Sequence, residues 1–383
     1  MSQPAPRTIT YAEAGVDTAA GDRAVELMKA SVAATMTPEV VGGVGGFAGL
    51  VDVSALRGYR RPLLATSTDG VGTKVAIAQA LDVHDTIGQD LVGMVVDDIV
   101  VVGARPLLMT DYIACGRVVP ERVADIVRGV ATACAAVGTP LLGGETAEHP
   151  GLLGPEEYDV AGAATGVVEA DRVLGPERVR PGDVVLAMAS SGLHSNGYSL
   201  VRRVIEHAGW SLERHVPDFG RTLGEELLEP TRLYTAVCLE AVEAADGAAR
   251  AGGTTAPGVH ALSHVTGGGL AANLARVLPA GTVAEVDRST WVVPPVFETV
   301  RTLGSVPWDD LEATLNLGVG MVAVVDPGAL EAVVAVAQAA GLPAWVLGEV
   351  HDAGGHEPRG RLVAGTKGVD GGAVDLVGDY RTA

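Results

Sequence analysis

Apolar and polar positions along this chain follow two alternating periods, and glycine clusters fall where one gives way to the other. From Gly21 to Thr35, the positions Val25, Leu27, Met28 and Val32 predict a helix. Arg61 to Ser67 (RPLLATS) predicts a buried strand running into a glycine loop. His84 to Val102 reads as a helix with apolar and acidic faces, and Leu107 to Ala114 as a strand. Glu121 to Val137 reads as a helix opened by Pro120. Leu141 and Leu142 predict a short strand ended by Gly143-Gly144, and Tyr158 to Val168 a longer one.

Glu169 to Gly182 is polar and rich in turn formers, which suggests a boundary. Beyond it, DVVLAMASSG predicts a strand into a loop, YSLVRRVIEHAG a helix, and Glu225 to Ala245 another helix. Asp246 to Gly258 reads as a surface loop. HALSHVTGGG, LAANLARVLP, GMVAVVD, Leu330 to Ala340 and WVLGEV then read as strand, helix, strand, helix and a last strand. A glycine-rich tail from about His351 has no assigned role. Strands alternating with helices give an α/β (α+β) chain of two domains, 1–170 and 171–383.

Composition narrows the function classes. The 383 residues carry a formal net charge of −20, which argues against a nucleic-acid polymer or an anionic membrane as partner. The N-terminal segment has no apolar core of a signal peptide, and no clean apolar run is long enough to span a bilayer, so a cytoplasmic location is expected. Three well-separated cysteines, Cys115, Cys134 and Cys238, suggest neither a disulfide framework nor a zinc site. Glycine numbers 51, about twice the usual share, and its clustering points to tight loops. Among the 27 basic residues only Lys29, Lys74 and Lys367 are lysines, so each raises the question of whether an ammonium is needed there.

Four segments carry candidate chemistry. Thr68-Asp69-Gly70-Val71-Gly72-Thr73-Lys74 places a carboxylate, two glycines, a hydroxyl and a lysine just after a strand. Backbone N–H groups and Lys74 would suit phosphate oxygens, and Asp69 would suit Mg²⁺. The alternative is a tight strand-to-helix turn. Asp97 and Asp98 interrupt an apolar helix; one is a candidate Mg²⁺ ligand, unless both lie on an exposed edge. Gly143-Gly144-Glu145 at a strand end adds a third hard oxygen donor, making Asp69, Asp98 and Glu145 a candidate metal set. Ser190 to Ser199 (SSGLHSNGYS) offers hydroxyls, an amide and an imidazole at a helix start, suited to a phosphate monoester, with His194 as candidate acid or base. An elaborate N-cap is the alternative. His264-Val265-Thr266-Gly267-Gly268-Gly269 reads as another anion-binding turn or a plain glycine connection. His351 and His356 read as ordinary surface residues.

Taken in order, YAEAGVD, GGVGGFAG, TDGVGTK, HDTIGQDLVGM, GGETAEHPG, YDVAG, SSGLHSNGYSLVR, H-x-TGGG and NLGVGM resemble the phosphoribosylformylglycinamidine cyclo-ligases, from about Tyr11 to Val350. The resemblance implies a two-domain fold, with N-terminal sheets pairing across a homodimer and a larger C-terminal α/β domain. It implies ATP-dependent closure of formylglycinamidine ribonucleotide to aminoimidazole ribonucleotide, through phosphorylation of the formamide oxygen. Carried over by motif, Lys29 and His194 would be catalytic. Asp69, Gly70, Gly72, Thr73, Lys74, Asp98, Gly143, Gly144 and Glu145 would serve ATP and Mg²⁺, with a monovalent cation as a further candidate. Ser191, His194, Ser195, Asn196, Thr266, Gly267 and Gly268 would hold substrate, and Gly42 to Gly49 would form a flap. The alternatives are a sister ATP-dependent phosphotransfer enzyme and a non-catalytic nucleotide-binding relative. One departure stands out: Asp97-Asp98 replaces the usual Asn-Asp.

Overall fold

The computed structural model describes Tyr11 and residues 14–43, 45–251, 258–365 and 370–382. Lys367 and residues 252–257 of the expected 246–258 loop lie outside the described residues.

The N-terminal part is a four-stranded sheet with helices on one face. Its strands are β1 (Pro62–Gly70), β2 (Arg105–Cys115), β3 (Leu141–Glu148) and β4 (Tyr158–Glu169), in spatial order β1-β4-β2-β3. β4 runs antiparallel to β1 and β2, while β2 and β3 are parallel. Its helices are α1 (Thr18–Ala33), α2 (Val75–Leu81), α3 (Asp85–Val100) and α4 (Pro120–Ala136). Helix α3 packs on the sheet and on α4, and α1 packs outside α4. Apolar periodicity accounts for this order: Ile87, Leu91, Val92, Val95 and Ile99 of α3 are all buried against the sheet side.

Among the described residues no layer covers the opposite face of this sheet in one chain. Leu64 is 68% exposed and Tyr112 39% exposed, and Thr66 and Thr68 also lie open there.

The C-terminal part is built on a seven-stranded sheet of β5 (Val184–Ala189), β6 (Val259–His264), β7 (Thr282–Asp287), β8 (Val319–Val325), β9 (Ala344–Asp352), β10 (Arg361–Ala364) and β11 (Ala373–Val377). The order is β6-β8-β5-β9-β7-β11-β10, antiparallel except for the β7–β11 pair. Its main helices are α5 (Tyr198–Ala208), α6 (Leu223–Leu227), α7 (Thr235–Ala251), α8 (Gly269–Ala275), α9 (Pro295–Gly304), α10 (Trp308–Glu312) and α11 (Leu330–Ala339).

Three expectations are corrected. Strand β3 does not stop at Gly143-Gly144 but continues to Glu148. Glycine is needed inside it, because a Cβ at Gly144 would stand 1.9 Å from Asp111 Oδ1. The single helix expected from Glu225 is two: Leu223–Leu227 ends before Pro230, and the second runs from Thr235 to Ala251, into the segment expected as loop. The tail is not a free appendage. β11 joins the sheet parallel to β7 and buries Val374 and Leu376.

Candidate active site between the two domains

Helix α3 meets the C-terminal domain along one face, and this seam positions the site. Gln89 Nε2 donates to the Thr231 carbonyl at 2.8 Å. Asp90 accepts from the Thr231 N–H at 2.8 Å and its hydroxyl at 2.7 Å. Gly93 lets Thr231 approach, since a Cβ there would meet its methyl at 2.7 Å. Asp97, fully buried, accepts from the Tyr234 N–H at 3.1 Å and the Thr235 hydroxyl at 2.7 Å. It therefore anchors the start of α7, through the N–H of the residue before the helix and the hydroxyl of its first residue. Loss of solvent pushes the Asp97 carboxyl up to about 6, against the pull of His264 and these hydrogen bonds. The two adjacent acids thus divide: Asp97 is structural, and Asp98, 39% exposed, faces the site.

Lys74 departs from the phosphate role its motif suggests. It is fully buried, and Nζ donates to Asp90 Oδ1 at 2.8 Å, the His194 carbonyl at 3.0 Å and the Glu229 carbonyl at 2.7 Å. All three ammonium donors have protein acceptors, so none is left for a phosphate. Burial lowers its pKa and raises that of Asp90, with each charge opposing the shift of the other.

The same bond holds His194 in a left-handed backbone conformation, φ +60°. The loop around it is pinned to the TDGVGTK turn at further points. Ser195 Oγ donates to the Val71 carbonyl at 3.3 Å, and Thr73 and Ser199 share a 3.1 Å hydroxyl pair. Gly72 lies against the Ser195 backbone, with Gly70 just before it at the end of β1. Ser191 Oγ donates to the Pro230 carbonyl at 2.6 Å. Asn196 Oδ1 accepts from the Gly267 N–H at 3.0 Å, joining the turn of Thr266, Gly267 and Gly268 to the same loop. The two glycine-rich segments that sequence places far apart are therefore neighbours.

His194 is buried and its pKa is lowered well below the usual histidine range, first by desolvation and then by the charges of His264, Lys74 and Arg232. Its Nε2 accepts from the Ser191 N–H at 3.2 Å, so the proton of the neutral ring sits on Nδ1. Among the described residues Nδ1 has no hydrogen-bond partner. His194 is thus placed as a hydrogen-bond donor rather than a base.

His264 enters the sequence reading only as the first residue of a glycine-rich turn, with no role of its own. Its Nδ1 pairs with Asp98 Oδ1 at 2.9 Å, and its Nε2 has no partner among the described residues. Burial works against its charge, but the Asp98 hydrogen bond and the fields of Asp97, Asp98 and Asp69 leave its pKa raised. The rings of His194 and His264 both lie close to that of Tyr234, with centroids 6.0 and 6.4 Å away.

Asp69, Gly162, Asp111 and Gly144 form a row across β1, β4, β2 and β3. Directly paired residues share a face, so Asp69 and Asp111 point to the helix side with only glycines as neighbours in the row. Burial pushes Asp111 up to about 7. Glu145 is paired with Tyr112 on the open face, on the edge strand opposite β1, about 14 Å from it at three strand spacings. Within one chain the fold therefore does not bring Glu145, nor Gly143 beside it, to Asp69 and Asp98. Lys29 is also apart: it lies exposed on α1 and pairs with Glu26 at 2.5 Å. Residues Val40–Val41 pair with Leu50–Val51 as a short hairpin, placing Gly42 and Gly49 at the two ends of the connection whose tip carries Phe47. Phe47 is fully exposed at that tip.

Carboxylate oxygens are the hard donors Mg²⁺ prefers, and Asp69 and Asp98 share the neighbourhood of His264, so this pair fits such an ion. Among the described residues no helix is long and apolar enough to cross a membrane.

Family models for AIR synthase related protein match the chain over residues 51–168 (N-terminal domain) and 180–360 (C-terminal domain). A phosphoribosylformylglycinamidine cyclo-ligase from Geobacillus kaustophilus is 47% identical over 341 residues, covering 89% of this chain and 95% of that protein. One from Sorangium cellulosum is 48% identical over 348 residues, covering 91% and 97%. Among solved structures, thiamine-monophosphate kinase from Stenotrophomonas maltophilia shares the fold with a TM-score of 0.62 at 18% identity, covering 92% of this chain and 96% of that one. Hydrogenase maturation protein HypE in complex with ATP does so with 0.59 at 18% identity, covering 87% and 86%. The chain belongs to the phosphoribosylformylglycinamidine cyclo-ligase family.

Proposed function

We propose that this chain closes the imidazole ring of aminoimidazole ribonucleotide from formylglycinamidine ribonucleotide, using ATP. The observation that carries the reading is identity near 47% over nearly the full length of both chains to cyclo-ligases, with both glycine-rich loops assembled at one seam.

The formamide oxygen takes the γ-phosphoryl group of ATP, which turns a poor leaving group into a good one. The amidine nitrogen then attacks the activated carbon, phosphate leaves with that oxygen, and a proton is lost. The protein's task is to position two anionic ligands and offset charge. His194 Nδ1–H and, when protonated, His264 Nε2–H are two buried donors without acceptors among the described residues, suited to an oxygen that gains negative charge. Asp98 orients the His264 ring. The N–H groups at the start of α5, next to Gly197, would receive the substrate phosphate. Asp69 and Asp98 would hold Mg²⁺, which when bound offsets the charge of the ATP phosphates.

A homodimer completes the N-terminal sheet. The open face of Leu64, Thr66, Thr68 and Tyr112 would be covered by the same face of a second copy, closing two four-stranded sheets into a barrel. A cytoplasmic location accords with this biosynthetic reaction.

The test is purified protein with Mg²⁺, ATP and formylglycinamidine ribonucleotide, following aminoimidazole ribonucleotide. Wild type should turn over, and Asp69→Asn should lose at least a hundredfold in kcat while remaining folded. No product from wild type that still binds ATP would overturn the reading in favour of a non-catalytic relative.

A further inference from the structure

Far along the C-terminal sheet from the site, two histidines and a carboxylate converge. Glu285 lies on β7, His351 on β9 and His356 in the connection to β10. Register pairs Val283 with His351 and Glu285 with Glu349, so Glu285 and His351 stand on the same face of adjacent strands. One ligand atom from each of Glu285, His351 and His356 lies within 4.8 Å of the others. The imidazoles stack at 5.3 Å between centroids with planes 13° apart.

A second layer supports the first. His356 Nε2 meets Asp375 Oδ2 at 3.0 Å. Asp375 is fully buried and fixed by the N–H groups of Arg359 at 2.8 Å and Gly360 at 3.0 Å. A carboxylate held as an acceptor keeps the proton of a neutral ring on Nε2, leaving Nδ1 as the lone pair. A carboxylate behind a histidine in this way is the usual outer support of a metal ligand.

We propose that Glu285, His351 and His356 form a binding site for a divalent transition-metal ion, separate from the ATP site. Two imidazoles and one carboxylate match the preferences of Zn²⁺, Co²⁺ and Ni²⁺ and not those of Mg²⁺. Bonds near 2.1 Å require the three groups to close in by about an ångström, and a water completes the set. The guanidinium of Arg359 now pairs with Glu285 and competes with the ion for it. The three cysteines are buried in other parts of the chain and offer no rival thiolate cluster among the described residues.

The experiment is a calorimetric titration of the full chain with Zn²⁺ in excess Mg²⁺, with Co²⁺ absorption as a second readout. Wild type should bind one Zn²⁺ at this site, and His351→Asn with His356→Asn should weaken it at least tenfold. Arg359→Ala should tighten it, a result that misfolding would not give. Ring-closing activity in Mg²⁺ alone should be unchanged in all of these. Absence of Zn²⁺ binding by wild type, or binding indifferent to both histidines and to Arg359, would overturn the proposal.

Discussion

The three hydrogen bonds of Lys74 tie the TDGVGTK turn to Asp90 on α3, to the His194 carbonyl and to the Glu229 carbonyl, so this side chain fixes the His194 loop through its backbone. Replacing it with methionine leaves Asp90 a buried, unpaired charge, which costs about 3–5 kcal/mol. Urea unfolding of Lys74→Met should show that loss. A phosphate-binding lysine would behave differently: stability would hold and only the KM for ATP would rise. The motif TDGVGTK was legible as a junction of strand and helix, but not its lysine's direction. Burial depends on α3 and on Glu229, which lie 16 and 155 residues away in the chain. His264 was illegible for the same reason, since Asp98 reaches it across 166 residues.

Among the elements, α3 does the most to relate the two domains. Its residues Gln89, Asp90, Gly93 and Asp97 recur on one helix face, and all four meet the segment from Thr231 to Thr235. Asp97 needs only an acceptor oxygen there, which an asparagine also offers, without a charge to desolvate. Asp97→Asn should therefore keep or raise the midpoint of thermal unfolding, whereas Asp97→Ala should lower stability by about 1–3 kcal/mol by leaving buried donors unpaired. Equal losses in both variants would contradict the assignment. Strands and helices with clear periodicity were readable in the sequence, including α3 and α4 to within two residues. Glycines misled at β3, where they permit a carboxylate row rather than end a strand. The last two strands were missed because a short segment among glycines has too little pattern to announce its partner β7.

At the scale of the molecule, a net charge of −20 coexists with two phosphate-bearing ligands. In the proposed reading the two are reconciled locally, through a protonatable His264, neutral imidazole and backbone donors, and carboxylates suited to Mg²⁺. The open N-terminal sheet face sets the expected assembly. Light scattering should give twice the 38.9 kDa chain mass for wild type. Leu64→Glu, at a position 68% exposed in one chain, should give the single-chain mass with the fold retained. A dimer insensitive to Leu64→Glu would place the interface elsewhere.

The central claim is that the formamide oxygen leaves as part of phosphate. Formylglycinamidine ribonucleotide carrying ¹⁸O in its formyl group, turned over with unlabelled ATP in ordinary water, tests it directly. The account predicts one ¹⁸O in each phosphate released alongside aminoimidazole ribonucleotide. Ring closure that yields unlabelled phosphate would contradict it.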